Sequence, residues 1–112
     1  MGAEPPTLGD LARLDLRVGT ILRAEPNHGA RDPAYKLWID FGDGEPRQSS
    51  AKLTDRYRPE DLVGRQVVAV TGFAPLRVGG FRSDVLVLGG VVAGSVVLLR
   101  PDDDVPPGTP VA

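Results

Sequence analysis

The side chains of this chain that are suited to chemistry are mainly cations and aromatics on short segments with strand-like alternation. Arg77, Arg82 and Ser83 fall close together around a Gly-Gly pair, and Lys36 and Lys52 lie nearer the middle of the chain. Arginine can place two donors on one phosphate or stack on a base, and a serine hydroxyl can donate to a backbone oxygen. Nucleic-acid contact is the chemistry these types suit, with Arg77, Arg82 and Ser83 leading and Lys36 and Lys52 extending the surface. The competing arrangement pairs Arg82 with Asp84 and leaves every charge in solvent. A second set is apolar: Tyr35, Trp38, Phe73, Pro75, Leu76 and Phe81. Trp38 has the opposite strand parity to Leu37, Ile39 and Phe41, so it cannot share their core face. A large aromatic left on the outer face needs a loop, a partner or a ligand, which makes Tyr35 and Trp38 the expected lining of a peptide groove. Phe73, Pro75, Leu76 and Phe81 would complete its pocket. The alternative for this set is packing as plugs of the core or as subunit contacts.

Nucleophilic catalysis has no support. Ser49 and Ser50 are adjacent, and His28 is the only histidine available as a base. Asp102-Asp103-Asp104 attracts cations in principle, but without further ligands it reads as a solvated tail. No glycine-rich phosphate loop followed by lysine and serine is present. Neither a catalytic residue nor a metal or cofactor is expected.

The elements that must position these residues follow from periodicity. Thr7-Leu8-Gly9-Asp10 resembles a capping box, so a short helix is expected over about Leu8 to Arg13, with Leu8, Leu11 and Ala12 facing inward after an extended arm. Leu14 to Glu25 alternates as a strand that puts Leu16, Val18, Thr20, Leu22 and Ala24 on one face, and Gly19 marks a bulge or a close backbone approach. Pro26 to Pro33 is a loop. Lys36 to Phe41 is a second strand, joined through Gly42-Asp43-Gly44 to a third over Arg47 to Ala51. Pro59 starts a short helix that Gly64 ends, and Gln66 to Thr71 is the fourth strand. Phe73 to Ser83 reads as a loop, Val85 to Leu88 and Val96 to Arg100 as further strands, and the chain after Pro101 as an acidic, proline-rich tail.

Composition sets the outer bounds. The 112 residues are 41% hydrophobic and 25% charged, which fits one globular domain over 1–112. With no cysteine, disulfides and thiolate chemistry are excluded. A net charge of −2 argues against bulk coating of nucleic acid, although the basic residues concentrate between Arg47 and Arg82. There is no apolar run of membrane-spanning length and no signal-peptide pattern at the start, so a cytoplasmic protein without membrane insertion is expected.

Several separated phrases together resemble one family. They are Leu14-Asp15-Leu16-Arg17-Val18-Gly19-Thr20-Ile21, the run Pro33 to Gly42, Gln48-Ser49-Ser50-Ala51, Arg58-Pro59-Glu60-Asp61-Leu62 and Gly80-Phe81-Arg82-Ser83. In this order they resemble the tRNA-binding domains appended to some aminoacyl-tRNA synthetases, and most of all the CsaA-type export-related chaperones of that family. The resemblance implies an all-β fold, a five-stranded oligonucleotide-binding barrel with N- and C-terminal extensions. It also implies a homodimer closed in part by those extensions, binding both tRNA and unfolded export substrates for the export machinery, without ATP. The alternative is an RNA-binding module that presents tRNA and has no chaperone activity. One departure stands out: many relatives have Gln-Gly-Met after the serine of the lysine/arginine-serine motif, where this chain has Asp84-Val85-Leu86.

Overall fold

The computed structural model describes residues 4–112, so the first three residues of the expected N-terminal arm lie outside the described part. Helix α1 spans Leu8–Leu14. Its capping box forms: the Thr7 hydroxyl accepts from the Asp10 N–H at 3.3 Å, and Asp10 accepts from the Thr7 N–H at 2.8 Å. The helix does not turn its leucines inward, because no α1 residue is buried and Leu8 is 85% exposed.

Five strands build the main sheet: β1 (Leu16–Pro26), β2 (Tyr35–Asp40), β3 (Arg47–Ala51), β4 (Gln66–Val70) and, later in the chain, a two-residue strand Leu86–Val87. Helix α2 (Pro59–Leu62) lies between β3 and β4. Two hairpins complete the chain. One is β5 (Leu76–Val78) with β6 (Phe81–Ser83); the other, after Leu86–Val87 (β7), is β8 (Gly89–Val92) with β9 (Ser95–Leu98). The sheet runs β3-β2-β1-β4-β7, all antiparallel. It curls until the Asp84 and Val85 N–H groups, just before β7, meet the Gln48 carbonyl of β3 at 2.7 and 3.3 Å. This nearly closed five-stranded barrel, with a short helix between its third and fourth strands, is the oligonucleotide-binding fold.

The interior is set by parity. Leu37 and Ile39 of β2 are fully buried and Phe41 nearly so, alongside Ile21, Leu53, Leu62, Val67, Ala69 and Val85. Each large side chain removed from water in this way contributes about 1.5–3 kcal/mol. Strand β1 departs from simple alternation. Its pairing with β2 shifts between Ile21 and Arg23, so Ile21 is buried while Leu22 is half exposed. The face expected for Leu22 is thus broken by a bulge at Leu22, not at Gly19. Gly19 answers to the other possibility, close approach: a Cβ there would come within 2.5 Å of Ile39 and 2.8 Å of the Phe41 ring.

Two segments are more ordered than their composition suggests. The expected loop from Phe73 to Ser83 contains the β5–β6 hairpin, whose turn residues Gly79 and Gly80 both have positive φ. The tail after Pro101 is docked, not loose. Its Val111 N–H donates to Leu16, its Gly108 N–H donates to Val18, and the Val18 N–H donates back to Thr109. The Gln66 amide also exchanges hydrogen bonds with the Val105 backbone.

Candidate nucleic-acid interface

The outer face of β1, β2 and β3 carries a cross-strand row of Arg23, Trp38 and Gln48, set directly opposite one another by the two ladders. The bulge after Ile21 is what sets Arg23 across from Trp38. Its guanidinium carbon stands 4.4 Å from the Trp38 ring centroid, within cation–aromatic range. The β5–β6 hairpin folds over the far side of the row. Phe81 meets Trp38 edge to face, with centroids 5.5 Å apart and planes at 76°, and Lys36 Nζ lies 5.3 Å from the Phe81 centroid. The Gln48 amide, oriented so that both its ends meet partners, accepts from the indole N–H at 3.3 Å and donates to the Arg82 carbonyl at 3.2 Å. Two aromatics and two cations are thereby packed into one outer patch.

The hairpin's pairing explains its two faces. Arg77 is directly opposite Arg82, and Val78 opposite Phe81. Phe81 turns to the barrel while Arg77 and Arg82 are exposed. The hairpin tip is held by the loop between β1 and β2. The buried Asn27 donates to the Val78 carbonyl at 3.0 Å and to the Ser50 hydroxyl at 3.3 Å, and Gly29 packs against Gly79 so closely that neither position has room for a Cβ.

The sequence-predicted residues divide accordingly. Lys36, Trp38 and Phe81, drawn from both expected sets, come together in this one patch, whereas Arg77 and Arg82, paired with each other across the hairpin, are exposed on its other face. Arg82 does pair with Asp84, Nε to Oδ1 at 2.6 Å, but its side chain remains 59% exposed. The Ser83 hydroxyl is engaged inside, accepting from the Ser50 N–H at 3.1 Å and donating to the Val85 carbonyl at 3.3 Å. Lys52 is apart from the patch and pairs with Asp32 at 2.9 Å. Tyr35 does not line a groove. It is buried in the core, and its hydroxyl donates to the Tyr57 carbonyl at 2.7 Å. Phe73 and Leu76 lie beside Leu86 around a small recess distinct from the Trp38 patch, and Pro75, next to them in the chain, is exposed. Arg23 was not among the expected residues: alternation set it opposite Leu22 and Ala24, but the bulge that pairs it with Trp38 has no sign in the sequence.

A second apolar surface lies at the termini. Leu8, Leu11 and Ala12 of α1 face Leu16, Pro110, Val111 and Ala112 across an open concavity. The leucines expected to point into the domain thus form part of an outward surface.

A patch of paired cations and aromatics on the outer wall of an oligonucleotide-binding barrel defines a class of proteins that hold extended or single-stranded polymers. Comparison with known proteins narrows the class. A family model described as "Putative tRNA binding domain" matches residues 16–110, and the chain belongs to that family. Among curated proteins it is similar to methionine–tRNA ligase of Methanothrix thermoacetophila, 45% identical over 95 residues, and of Methanococcoides burtonii, 39% identical over 104. The alignments cover 85% and 92% of this chain but only 14% and 15% of those ligases. Among solved structures, chaperone CsaA of Bacillus anthracis superposes with TM-score 0.86 at 51% identity, covering 97% of this chain and all of that one. The CsaA chaperone protein of Picrophilus torridus gives TM-score 0.89 at 38% identity, covering 96% and 100%.

Proposed function

We propose that this chain works as a CsaA-type homodimer in the cytoplasm, binding tRNA and holding unfolded export substrates until the export machinery takes them. The observation that carries the tRNA part is the Arg23–Trp38–Phe81–Lys36 cluster, with Arg77 and Arg82 exposed on the other face of the hairpin that supplies Phe81. Cations draw the phosphate backbone in, and aromatic faces accept unstacked bases of a loop or a single-stranded end. Stacking is indifferent to base identity, so the patch would bind by shape and charge. The holding part is supported by the similarity to CsaA chaperones along the whole of their length and by the apolar side chains of the separate recess, Phe73, Leu76 and Leu86, which are 45%, 65% and 44% exposed. Capture by such a surface requires no nucleotide hydrolysis: a chain with exposed apolar segments binds, and a folded one offers nothing to hold. The second copy is supported by the outward apolar surface of α1 and the tail.

The test is fluorescence anisotropy of labelled tRNA titrated with the protein, competed by a permanently unfolded polypeptide. Arg82→Ala is expected to weaken tRNA binding and to reduce the slope of log affinity against log salt by about one. Trp38→Ala is expected to lose about 1–3 kcal/mol of tRNA affinity and to weaken polypeptide capture as well. Displacement of tRNA by the polypeptide supports one shared surface. If tRNA binding survives both substitutions, the patch is not the tRNA site. If only tRNA competes, the chain is an RNA-binding module without the holding activity.

A further inference from the structure

The patch contains a contact that works against its own use. The broad face of an aromatic ring is what a base or an apolar side chain stacks on, and at Trp38 one such face is occupied by the Arg23 guanidinium, 4.4 Å from the ring centroid. Phe81 takes an edge-to-face position and Gln48 accepts from the indole N–H. The remaining contact of Arg23 is Glu25, whose Oε2 accepts from Nη2 at 2.7 Å, and the arginine side chain is 64% exposed. An exposed cation–aromatic contact and an exposed ion pair each bias an equilibrium by only about two- to fivefold. The guanidinium is therefore held over the ring and readily lifted from it.

We infer that Arg23 is a removable cover on the stacking face of Trp38 and biases the patch toward phosphate-bearing ligands. The inference rests on the proposed use of this patch for binding. A phosphate near the patch competes with Glu25 and with the indole for the guanidinium. Once swung outward, Arg23 keeps its charge satisfied as a phosphate contact, and the ring face it leaves is free for a base. A neutral apolar segment must displace the same guanidinium and offers it nothing in return. Arg23 thus favours nucleic acid twice over, by adding a contact and by taxing the competitor. Lys36 does not duplicate this role, because its ammonium lies over Phe81 and not over Trp38.

Trp38 is the only tryptophan, so intrinsic tryptophan emission reports on this site alone. The first experiment is acrylamide quenching of the wild type, Arg23→Ala and Arg23→Lys, with no RNA present. Arg23→Ala is expected to be quenched more than the wild type. Inorganic polyphosphate, an anion with no bases, is expected to raise quenching of the wild type toward the Arg23→Ala level and to leave Arg23→Ala unchanged. In binding assays Arg23→Ala should bind tRNA more weakly, with a salt slope lower by about one, and should bind a neutral unfolded polypeptide about two- to fivefold more tightly. Arg23→Lys keeps the charge but not the planar stack, so its salt slope should match the wild type while polypeptide binding tightens. Equal quenching of wild type and Arg23→Ala overturns the cover, as does a wild type indifferent to polyphosphate. The quenching result stands apart from the proposed function: a cover that lifts as described, in a protein whose tRNA binding ignores Trp38→Ala, supports the cover itself and removes both the patch as the tRNA site and the bias toward tRNA.

Discussion

At the scale of single residues, the aromatic side chains of β2 show how one step along a strand changes a role. Tyr35 shares parity with Leu37 and Ile39, and the structure uses it with them, as a plug whose hydroxyl serves the Tyr57 carbonyl. Tyr57 continues the link, its hydroxyl accepting from the Leu98 N–H at 3.0 Å. Removing the first hydroxyl takes away the partner of that part-buried carbonyl. Tyr35→Phe is accordingly expected to cost about 1–2 kcal/mol of stability, read as a lower Tm in calorimetry, with tRNA affinity unchanged. A loss of affinity without a loss of Tm would return Tyr35 to the binding surface. The alternation that excluded Trp38 from the core was legible in the chain and placed Tyr35 inside by the same logic; its aromatic character alone suggested a groove. Alternation set Arg23 opposite Leu22 and Ala24, but its place across from Trp38 was not legible, because that register depends on a one-residue irregularity that leaves no mark in the identity of Ile21 or Leu22.

At the scale of elements, the short helix and the hairpin are held by local chemistry of different kinds. Helix α2 starts at Pro59, and the Asp61 carboxylate accepts from the Arg58 N–H at 3.1 Å. That backbone bond first, and the Arg58 guanidinium second, hold the Asp61 carboxyl below its ordinary value of 3.8. A carboxyl depressed on folding stabilises the fold above its unfolded pKa, and the benefit fades as the pH falls through the lower folded value. Asp61→Asn should therefore unfold at lower urea than the wild type at neutral pH, and the gap should close in acid as the pH falls through the lowered folded value. The β5–β6 hairpin depends instead on space. At Gly79, φ is +59° and a Cβ would run into the Gly29–Ala30 backbone. Gly79→Ala is expected to cost at least about 1–2 kcal/mol and to weaken tRNA binding by displacing Phe81, Arg77 and Arg82 together. Near-wild-type affinity in this variant would mean that the hairpin is not part of the interface. The sequence signalled β2 and both helix starts clearly, through unbroken alternation or a terminal residue suited to a helix start, and β3 through the glycine turn before it. It did not signal β5 and β6, three residues each around two glycines, which read as loop because pairing with each other and docking on Asn27 supply what their own pattern lacks.

At the scale of the whole molecule, two of the outward apolar regions among the described residues bear on partners, the recess of Phe73, Leu76 and Leu86 and the surface where α1 meets the tail. The second is the surface proposed to receive another copy. Sedimentation equilibrium at micromolar concentration is expected to return twice the chain mass of 11.9 kDa for the wild type and the single-chain mass for Leu8→Asp combined with Leu11→Asp. A single-chain mass for both would leave the α1 surface without its proposed partner. The barrel itself was expected from the order of the motifs, whereas the packing of the tail was hidden behind its prolines and aspartates. That tail has a protective consequence. Strand β2 accompanies β1 only as far as the pairing of Thr20 with Asp40, and on that side the N-terminal half of β1 would otherwise present bare amides and carbonyls. Gly108, Thr109 and Val111 take up those groups at Leu16 and Val18, and Gly108 passes so near the Phe41 carbonyl that no larger residue would fit. An open strand edge is a template for pairing with any other extended chain. A protein proposed to spend its time among unfolded polypeptides thus carries its own sealing strip against being drawn into their aggregates.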